Sequence, residues 1–302
     1  MSSILTNVAA MSALQTLRGI NTNLETTQGN VSSGYRVAEA KDNAAYWSIA
    51  TTMRSDNKAL SAVSDALGLG AAKVDTAYAA MDNAINIVSE IKAKVVAATE
   101  NGVDKTKIQD EIGQLQQQLL SVAQSASFSG ENWVAGNGTK SVVSSFVRGA
   151  NGEVSVQTTD YNLDDSASGN VLFGMQATGE IDTTTGVIGS EYGSYGSIYN
   201  MDISDLSVED LNTTLSNVET GLSALTKAAS QLGSISTRID LQDSFVSNLS
   251  DSIDSGVGRL VDADMEEESS KLTALQTQQQ LAIQSLSIAN SSAQNILTLF
   301  QN

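Results

Sequence analysis

The feature that most constrains the fold is an apolar heptad pattern that runs from position 46 to position 95. Thirteen of its fifteen positions, which alternate by three and four residues, carry apolar side chains. This spacing places them on one stripe of a helix that packs along another helix. The chain contains no proline, so the commonest interruption of a long helix is missing. At 1.5 Å per residue the helix would be about 80 Å long, and the pattern therefore predicts a rod.

A second pattern of similar length, from position 211 to position 260, predicts the partner of this helix. Asp210 follows Ser207 by three residues, which is typical of a capping box at a helix start. Gly256 and Gly258 are predicted to end the helix. The first long helix is predicted to begin at Asp42, and Asp104 to cap a shorter third helix. The seam of that third helix consists of Ile108, Ile112, Leu115, Leu119 and Val122.

Both ends of the chain are free of charged side chains, although the net charge is −18. Positions 1–17 and 272–302 contain no Asp, Glu, Lys or Arg. The first end has a heptad seam of Ala10, Leu14, Leu17, Leu24 and Val31, with Asn21 and Gln28 as polar positions. The last end has a seam of Leu272, Leu275, Gln279, Ala282, Leu286, Ala289, Ala293, Ile296 and Phe300. We expect the two ends to pair with each other and then with copies of themselves.

The other faces of the last segment are polar but neutral, which is unusual because a solvated helix face normally carries Glu and Lys. The glutamines Gln276, Gln280, Gln284 and Gln294 are typical of these faces. Charges stacked copy upon copy would repel one another and would be costly to desolvate. The neutral faces therefore indicate burial among identical neighbours. An ordinary helical bundle or coiled coil explains the heptads equally well, but it does not explain why both ends are uncharged.

The middle of the chain has a different pattern, rich in glycine, serine and threonine. Residues 141–147 and 153–159 are rich in β-forming residues and are joined by a four-residue turn, which predicts a hairpin. The predicted fold is mainly α, a long antiparallel coiled-coil rod built from both chain ends with a small β-rich middle. Its predicted parts are 1–34 with 265–302, then 35–127 with 205–264, then 128–204.

Composition argues against several classes of function. The pI near 4.2 and the absence of a basic patch argue against a nucleic-acid partner. The chain has no His and no Cys, so the usual acid–base and nucleophilic groups of enzymes are missing, and no cofactor is expected. The acidic cluster Asp262, Asp264, Glu266, Glu267 and Glu268 could bind a metal ion, but a solvated helix start is favoured. Neither a signal peptide nor a membrane-inserting segment is predicted.

Several short motifs give the chain a resemblance to a known family. They are the uncharged start Ile4-Leu5-Thr6-Asn7, the segment Val31-Ser32-Ser33-Gly34-Tyr35-Arg36-Val37 followed by Lys41-Asp42-Asn43-Ala44-Ala45, Ser48-Ile49-Ala50, Arg259-Leu260 with Asp262-Ala263-Asp264, and Gln294-Asn295-Ile296-Leu297. At these relative positions they resemble a bacterial flagellin, of the short alphaproteobacterial (rhizobial) type. The resemblance covers both ends and both long helices.

This resemblance implies a self-assembling subunit of the extracellular flagellar filament, exported through the flagellar type III apparatus. It implies partners that include further copies of the chain, sister flagellins, an export chaperone, the cap and the hook-associated proteins. The terminal helices would form an inner tube, with Gln276, Gln280, Gln284 and Gln294 as candidates to face its lumen. A hook–filament junction protein of related fold and a type III-secreted coiled-coil protein remain as alternatives.

The resemblance also concerns host receptors. Residues 29–50 align with the flagellin epitope that plant receptor kinases sense, and its matching positions here include Gly34, Arg36, Lys41 and Asp42. Asn43, Tyr46, Trp47 and Ser48 depart from the eliciting pattern, so plant perception is expected to be weak. The stretch from Ile87 to Ile91 lacks the Arg of the Toll-like receptor contact in activating flagellins. Poor activation of the Toll-like receptor is therefore expected as well.

Overall fold

The structure is a computed structural model that describes residues 7–100, 102–149 and 152–299. Six α-helices are described: α1 (Val8–Ser33), α2 (Ala44–Ala98), α3 (Lys105–Ser125), α4 (Gly186–Gly189), α5 (Val208–Val261) and α6 (Met265–Leu299). The strands are β1 (Ser127–Phe128), β2 (Glu131–Asn132), β3 (Gly138–Arg148), β4 (Val154–Leu163), β5 (Gly174–Met175) and β6 (Ile181–Asp182). They form three antiparallel pairs, β1–β2, β3–β4 and β5–β6. The predicted fold class, long helices from both ends around a small β-rich middle, is confirmed.

The chain divides into two compact units, each containing parts of α2 and α5. The first comprises Met1–Lys58 and Asp251–Asn302, and the second comprises Ala59–Ser250. The predicted three-part organisation, with divisions near positions 35, 128, 205 and 265, stays a prediction. Among the described helices, none is both long and apolar enough to cross a membrane.

In the first unit, α1 ends at Ser33. Gly34 adopts the left-handed conformation at φ 75°, and its N–H donates to the carbonyl oxygen of Asn30 at 2.8 Å. The predicted start of α2 was one residue early, because Asn43 and not Asp42 caps the helix by accepting from the N–H of Tyr46 at 3.1 Å. The Asp42 carboxylate instead accepts from the N–H groups of Ala38 and Glu39, and so it stabilises the preceding turn.

The end of α5 lies in the same unit and differs from the prediction. Gly256 and Gly258 do not end the helix, which continues to Val261. A glycine inside a helix costs only about 1 kcal/mol relative to alanine, and burial of Val257 and Val261 offsets that cost. These two valines form a small core with Val37 and Ala50. Asp262 then leaves the helix and pairs with Tyr35 in an isolated β-bridge.

The second unit has a continuous apolar core along its long helices. On α2 the fully buried positions repeat every three or four residues, as the heptad pattern predicts; they include Leu67, Val74, Met81, Val88, Ile91 and Val95. On α3 and α5 the corresponding residues are Ile112, Leu119, Leu211, Val218, Leu225 and Leu232. Ion pairs at 2.5 Å connect α2 to α5, through Lys92 and Glu219, and α2 to α3, through Lys94 and Glu111.

The helix starts predicted for this unit are confirmed. Asp104 accepts from the N–H of Thr106 at 3.2 Å at the start of α3. At the start of α5, the hydroxyl of Ser207 accepts from the N–H of Asp210, and the Asp210 carboxylate accepts from the N–H of Ser207 at 3.1 Å. This reciprocal pair is a capping box in which Asp takes the place of the usual Glu or Gln.

The predicted hairpin is present. β3 is longer than predicted at both ends, whereas β4 begins one residue later and ends four residues later than predicted. β3 and β4 pair from Gly138 opposite Leu163 to Arg148 opposite Val154, with a register shift between Val143 and Ser145. The hairpin packs on α2 at Gly70, where an added Cβ would lie 2.1 Å from Cγ1 of the buried Val142. The absence of a side chain at position 70 therefore permits the close approach of the hairpin to the helix.

Candidate functional site

The two ends of the chain form an antiparallel helix pair in the first unit. Hydrogen bonds connect α1 and α6 at three levels. Asn7 Nδ2 donates to the carbonyl oxygen of Ala289 at 3.0 Å, Gln279 Nε2 donates to Asn21 Oδ1 at 2.7 Å, and Asn30 Nδ2 donates to Glu268 Oε1 at 3.2 Å. As the residue number rises on one helix it falls on the other, so the helices run in opposite directions.

On α6, the more shielded side chains lie on a single stripe. Leu275 is buried, and Leu272, Gln279, Ala282, Leu286 and Ala289 are partly buried. These are the positions of the predicted seam. Gln276, Gln280 and Gln284 lie on the exposed faces. Ile296 and Gln294 belong to the helical backbone of α6, and Phe300 lies outside the described residues.

On α1, every second position of the seam is shifted by one residue from the prediction. Ala10, Leu17, Leu24 and Val31 are partly buried as expected, but Leu14, Asn21 and Gln28 are exposed. The more shielded positions between them are Ala13, Ile20 and Thr27, of which Thr27 is only 1% exposed. Both sets repeat every seven residues, so spacing alone could not distinguish them. The burial of Ile20 and the exposure of Asn21 follow the ordinary preference of apolar side chains for the interior.

The outward faces of the pair carry large apolar side chains in contact with water. Val8 and Met11 on α1 are 68% and 57% exposed, and Leu281, Ile283 and Ile288 on α6 are 59%, 52% and 71% exposed. The surrounding polar side chains are neutral, since positions 7–17 and 272–291 contain no charge. We call these exposed apolar residues and the neutral side chains around them the neutral outer face. Exposed apolar side chains on both helices of the pair are typical of a surface that a partner covers.

One acidic side chain, Glu268, lies inside the pair. The sequence predicts it to be solvated like the rest of the acidic cluster, but it is only 8% exposed. Its Oε1 accepts from Asn30 and lies 4.0 Å from Lys271 Nζ, whereas Oε2 has no hydrogen-bond partner among the described residues. The cap of α6 is Asp264, whose Oδ1 accepts from the N–H groups of Glu266 and Glu267. Spacing gave no signal that would separate Glu268 from its exposed neighbours.

The segment aligned with the receptor epitope lies between α1 and α2. Arg36 Nη2 donates to the carbonyl oxygen of Leu260 at 3.2 Å, which anchors the segment to the end of α5. Lys41 is exposed and pairs with Glu39 at 2.7 Å, and this hydrogen bond raises the pKa of Lys41. Gly34, Asp42 and Asn43 have structural roles in the caps and turn described above. Receptor contact through these residues stays a prediction.

Comparison with known proteins gives consistent matches over the whole chain. The model of the bacterial flagellin N-terminal helical region matches residues 4–139, and that of the C-terminal helical region matches residues 215–300. Flagellin C of Rhizobium meliloti (strain 1021) is 56% identical over 320 residues, Flagellin B of Rhizobium meliloti is 48% identical over 398, and a flagellin of Brucella melitensis biotype 1 is 45% identical over 307. Each alignment covers 100% of both chains.

Proposed function

The chain belongs to the bacterial flagellin family and is a structural subunit of the flagellar filament, and from this premise we propose that it polymerises through its paired terminal helices. The neutral outer face is the observation that supports this route. Its apolar side chains are exposed in a single chain, and covering them with a neighbouring copy would release water from apolar surface. No finding favours the alternatives of a hook–filament junction protein or another type III-secreted coiled-coil protein.

The direct test changes the apolar residues of the neutral outer face without touching the seam. We expect Ile283→Ser with Ile288→Ser to abolish polymerisation, or to raise the critical concentration at least ~30-fold, because each Ile loses about 1–2 kcal/mol of burial at every subunit. Leu69→Ser is the control, since Leu69 is 49% exposed but lies in the second unit. Sedimentation of filaments measures the effect. Normal filaments from the double variant would contradict the proposed route.

We also infer that the terminal segments, residues 1–33 and 265–302, gain their full order only on assembly. Among the described side chains of α1, only Thr27 is fully buried, and on α6 only Glu268 and Leu275 are. Such limited burial offsets little of the conformational entropy lost when segments of this length become ordered. NMR of the monomer should show weak protection of these ends. Rigid helices at both ends of the monomer would contradict this inference.

The neutral glutamine surface of α6 has a proposed role in export. We propose that Gln276, Gln280, Gln284 and Gln294 face the filament lumen, where a neutral wall would let unfolded subunits pass without electrostatic trapping. Lysines at positions 276, 280 and 284 should shorten filaments in growing cells, because the exported chain is strongly acidic. Lysines at the exposed Asn212, Ser223 and Ser230 of α5 are the control. Unchanged filament length in the first variant would count against the proposal.

The remaining partners belong to the same proposal. We propose that the subunit lies outside the cell, that export uses the flagellar type III apparatus with a chaperone, and that the chain meets the cap and hook-associated proteins and sister flagellins. We further propose weak sensing by plant receptor kinases and by the Toll-like receptor. The departures at Asn43, Tyr46, Trp47 and Ser48, and the missing Arg between Ile87 and Ile91, support this view. Receptor reporter assays at nanomolar protein would test it.

A further inference from the structure

An asparagine–glycine sequence lies at the base of the β3–β4 hairpin, far from the terminal helix pair. Asn137 is the only described Asn that a glycine follows, whereas Asn101 and Asn151, which also precede glycines, lie outside the described residues. It lies between the bend at Gly136 and the start of β3 at Gly138, outside any helix or strand. Its side chain is exposed on the wall of an open groove of about 890 Å³. Water therefore has access to this residue.

The backbone around Asn137 presents little steric hindrance. Gly136 and Gly138 both have positive φ, at 103° and 101°, a region that residues with a Cβ rarely adopt. A Cβ added at Gly138 would have no neighbouring atom within 4 Å. The Asn137 side chain is weakly held, since its hydrogen bond to Asp165 Oδ2 is long at 3.4 Å. The side-chain amide carbon is therefore free to approach the backbone nitrogen of Gly138.

From this geometry we propose that Asn137 is a site of spontaneous deamidation. The backbone nitrogen of Gly138 attacks Cγ of Asn137 and forms a C–N bond, while this nitrogen loses its proton and the side-chain nitrogen leaves as ammonia. The product is a five-membered succinimide ring, and the reaction is intramolecular, so no second protein is required. Water then opens one of the two C–N bonds of the ring and gives either aspartate or isoaspartate. The balance is one water consumed and one ammonia released.

The isoaspartate product would change the main chain at the base of the hairpin. Before Asn137, the N–H of Gly136 donates to the carbonyl oxygen of Phe173 at 2.9 Å. After it, Gly138 pairs with Leu163. In isoaspartate the main chain passes through the former side chain and gains one methylene group. Because both flanking residues are anchored, we expect the pairing at the start of β3 to loosen.

Either product also replaces an attraction by a repulsion. The amide of Asn137 donates to the Asp165 carboxylate, whereas a carboxylate at position 137 has no proton to donate and carries the same charge as its neighbour. The loss of ammonia makes the change irreversible, so the modified fraction rises with the age of the chain. In an assembled subunit it would record the time since synthesis, an interpretation that rests on the proposed function.

Peptide mapping of the folded monomer by mass spectrometry tests the site directly. During incubation at mildly alkaline pH, we expect Asn137 to react at least ~10-fold faster than Asn162, which is also exposed but precedes Leu163. Labelling by an isoaspartate-specific methyltransferase identifies the isoaspartate product. If Asn137 reacts no faster than Asn162, the proposed site is wrong, while the filament function is unaffected. If the fresh chain forms no filaments, the filament function fails, while the modification site is unaffected.

Variants at position 137 test the effect on the hairpin. In the incubated unmodified chain we expect amide hydrogen exchange of residues 138–142 to be at least ~3-fold faster than in fresh protein. Asn137→Gln is the matched control, because it keeps the amide but would need a larger ring, and its exchange should not change on incubation. Asn137→Asp adds the charge without the methylene group, so it should have a smaller effect. Equal exchange in fresh and fully modified chains would overturn the proposed effect on the hairpin.

Discussion

Two tyrosines in the second unit, the buried Tyr161 and the partly buried Tyr192, differ in whether their hydroxyl groups have partners. The Tyr192 hydroxyl donates to two backbone carbonyl oxygens, that of Ala167 at 2.6 Å and that of Val187 at 2.8 Å. The Tyr161 hydroxyl is buried without a partner among the described residues. Tyr192→Phe should therefore cost about 1 kcal/mol of unfolding free energy, and Tyr161→Phe should be neutral or stabilising. Urea unfolding of the monomer, followed by Trp133 fluorescence, measures both. An equal loss in the two variants would contradict this account.

The pKa of Tyr192 determines how this residue contributes to stability at alkaline pH. Burial raises the pKa of Tyr192 to about 12, above the usual value of about 10 in an unfolded chain. As pH rises past 10, the unfolded state loses its proton first, so stability is full below pH 10 and falls up to about pH 12. We expect Tyr192→Phe to make the decline of unfolding free energy shallower, by at most about 1.4 kcal/mol per pH unit. An identical slope in both proteins would exclude Tyr192 as a contributor.

Glu268 and Asn30 form a polar pair between α1 and α6. Substitutions of these two residues separate the effect of the buried charge on filament stability from the effect of the hydrogen bond. Glu268→Leu leaves the amide of Asn30 without its acceptor and should lower filament stability by about 1–3 kcal/mol per subunit. Glu268→Gln keeps an acceptor and removes the buried charge, so it should be tolerated. The double variant Asn30→Leu with Glu268→Leu should recover part of the loss. Thermal dissociation of filaments measures the series, and strictly additive losses would refute the coupling.

At the scale of elements, two glycines of α2 make opposite predictions. An alanine Cβ at position 68 would have no neighbouring atom within 4 Å, whereas at position 70 it would lie 2.1 Å from Val142 Cγ1. Gly68→Ala should stabilise the monomer by up to about 1 kcal/mol through helix propensity. Gly70→Ala should destabilise it by about 1–3 kcal/mol, because the stiff β-branched Val142 and its hairpin must move. Thermal unfolding by circular dichroism compares them, and equal melting temperatures would refute close packing at Gly70.

At the scale of the whole molecule, assembly brings together chains of net charge −18, and the proposed contact surfaces carry little charge. Raising the ionic strength from 0.01 M to 0.15 M shortens the Debye length from about 30 Å to about 8 Å, which weakens repulsion between copies. The critical concentration for polymerisation should therefore fall over this range. Light scattering at several NaCl concentrations measures it. A critical concentration that rises with salt would indicate that attractive ion pairs between subunits dominate assembly.

The sequence by itself determined the long helices, most of their ends and the hairpin. These follow from local rules: the heptad spacing of α2 and α5, the capping side chains Asp104 and Ser207, and the left-handed Gly34. The uncharged ends were also evident, because charge is a property of composition. The family motifs then gave the function.

Only the tertiary structure decided which of two seven-residue repeats of α1 faces α6, that α5 continues through Gly256 and Gly258, and that Glu268 is buried while its acidic neighbours are not. Each of these depends on what another segment, more than 100 residues away in the chain, places against the helix. Local spacing carries no information about that neighbour, so burial at these positions is set by packing and not by the pattern itself.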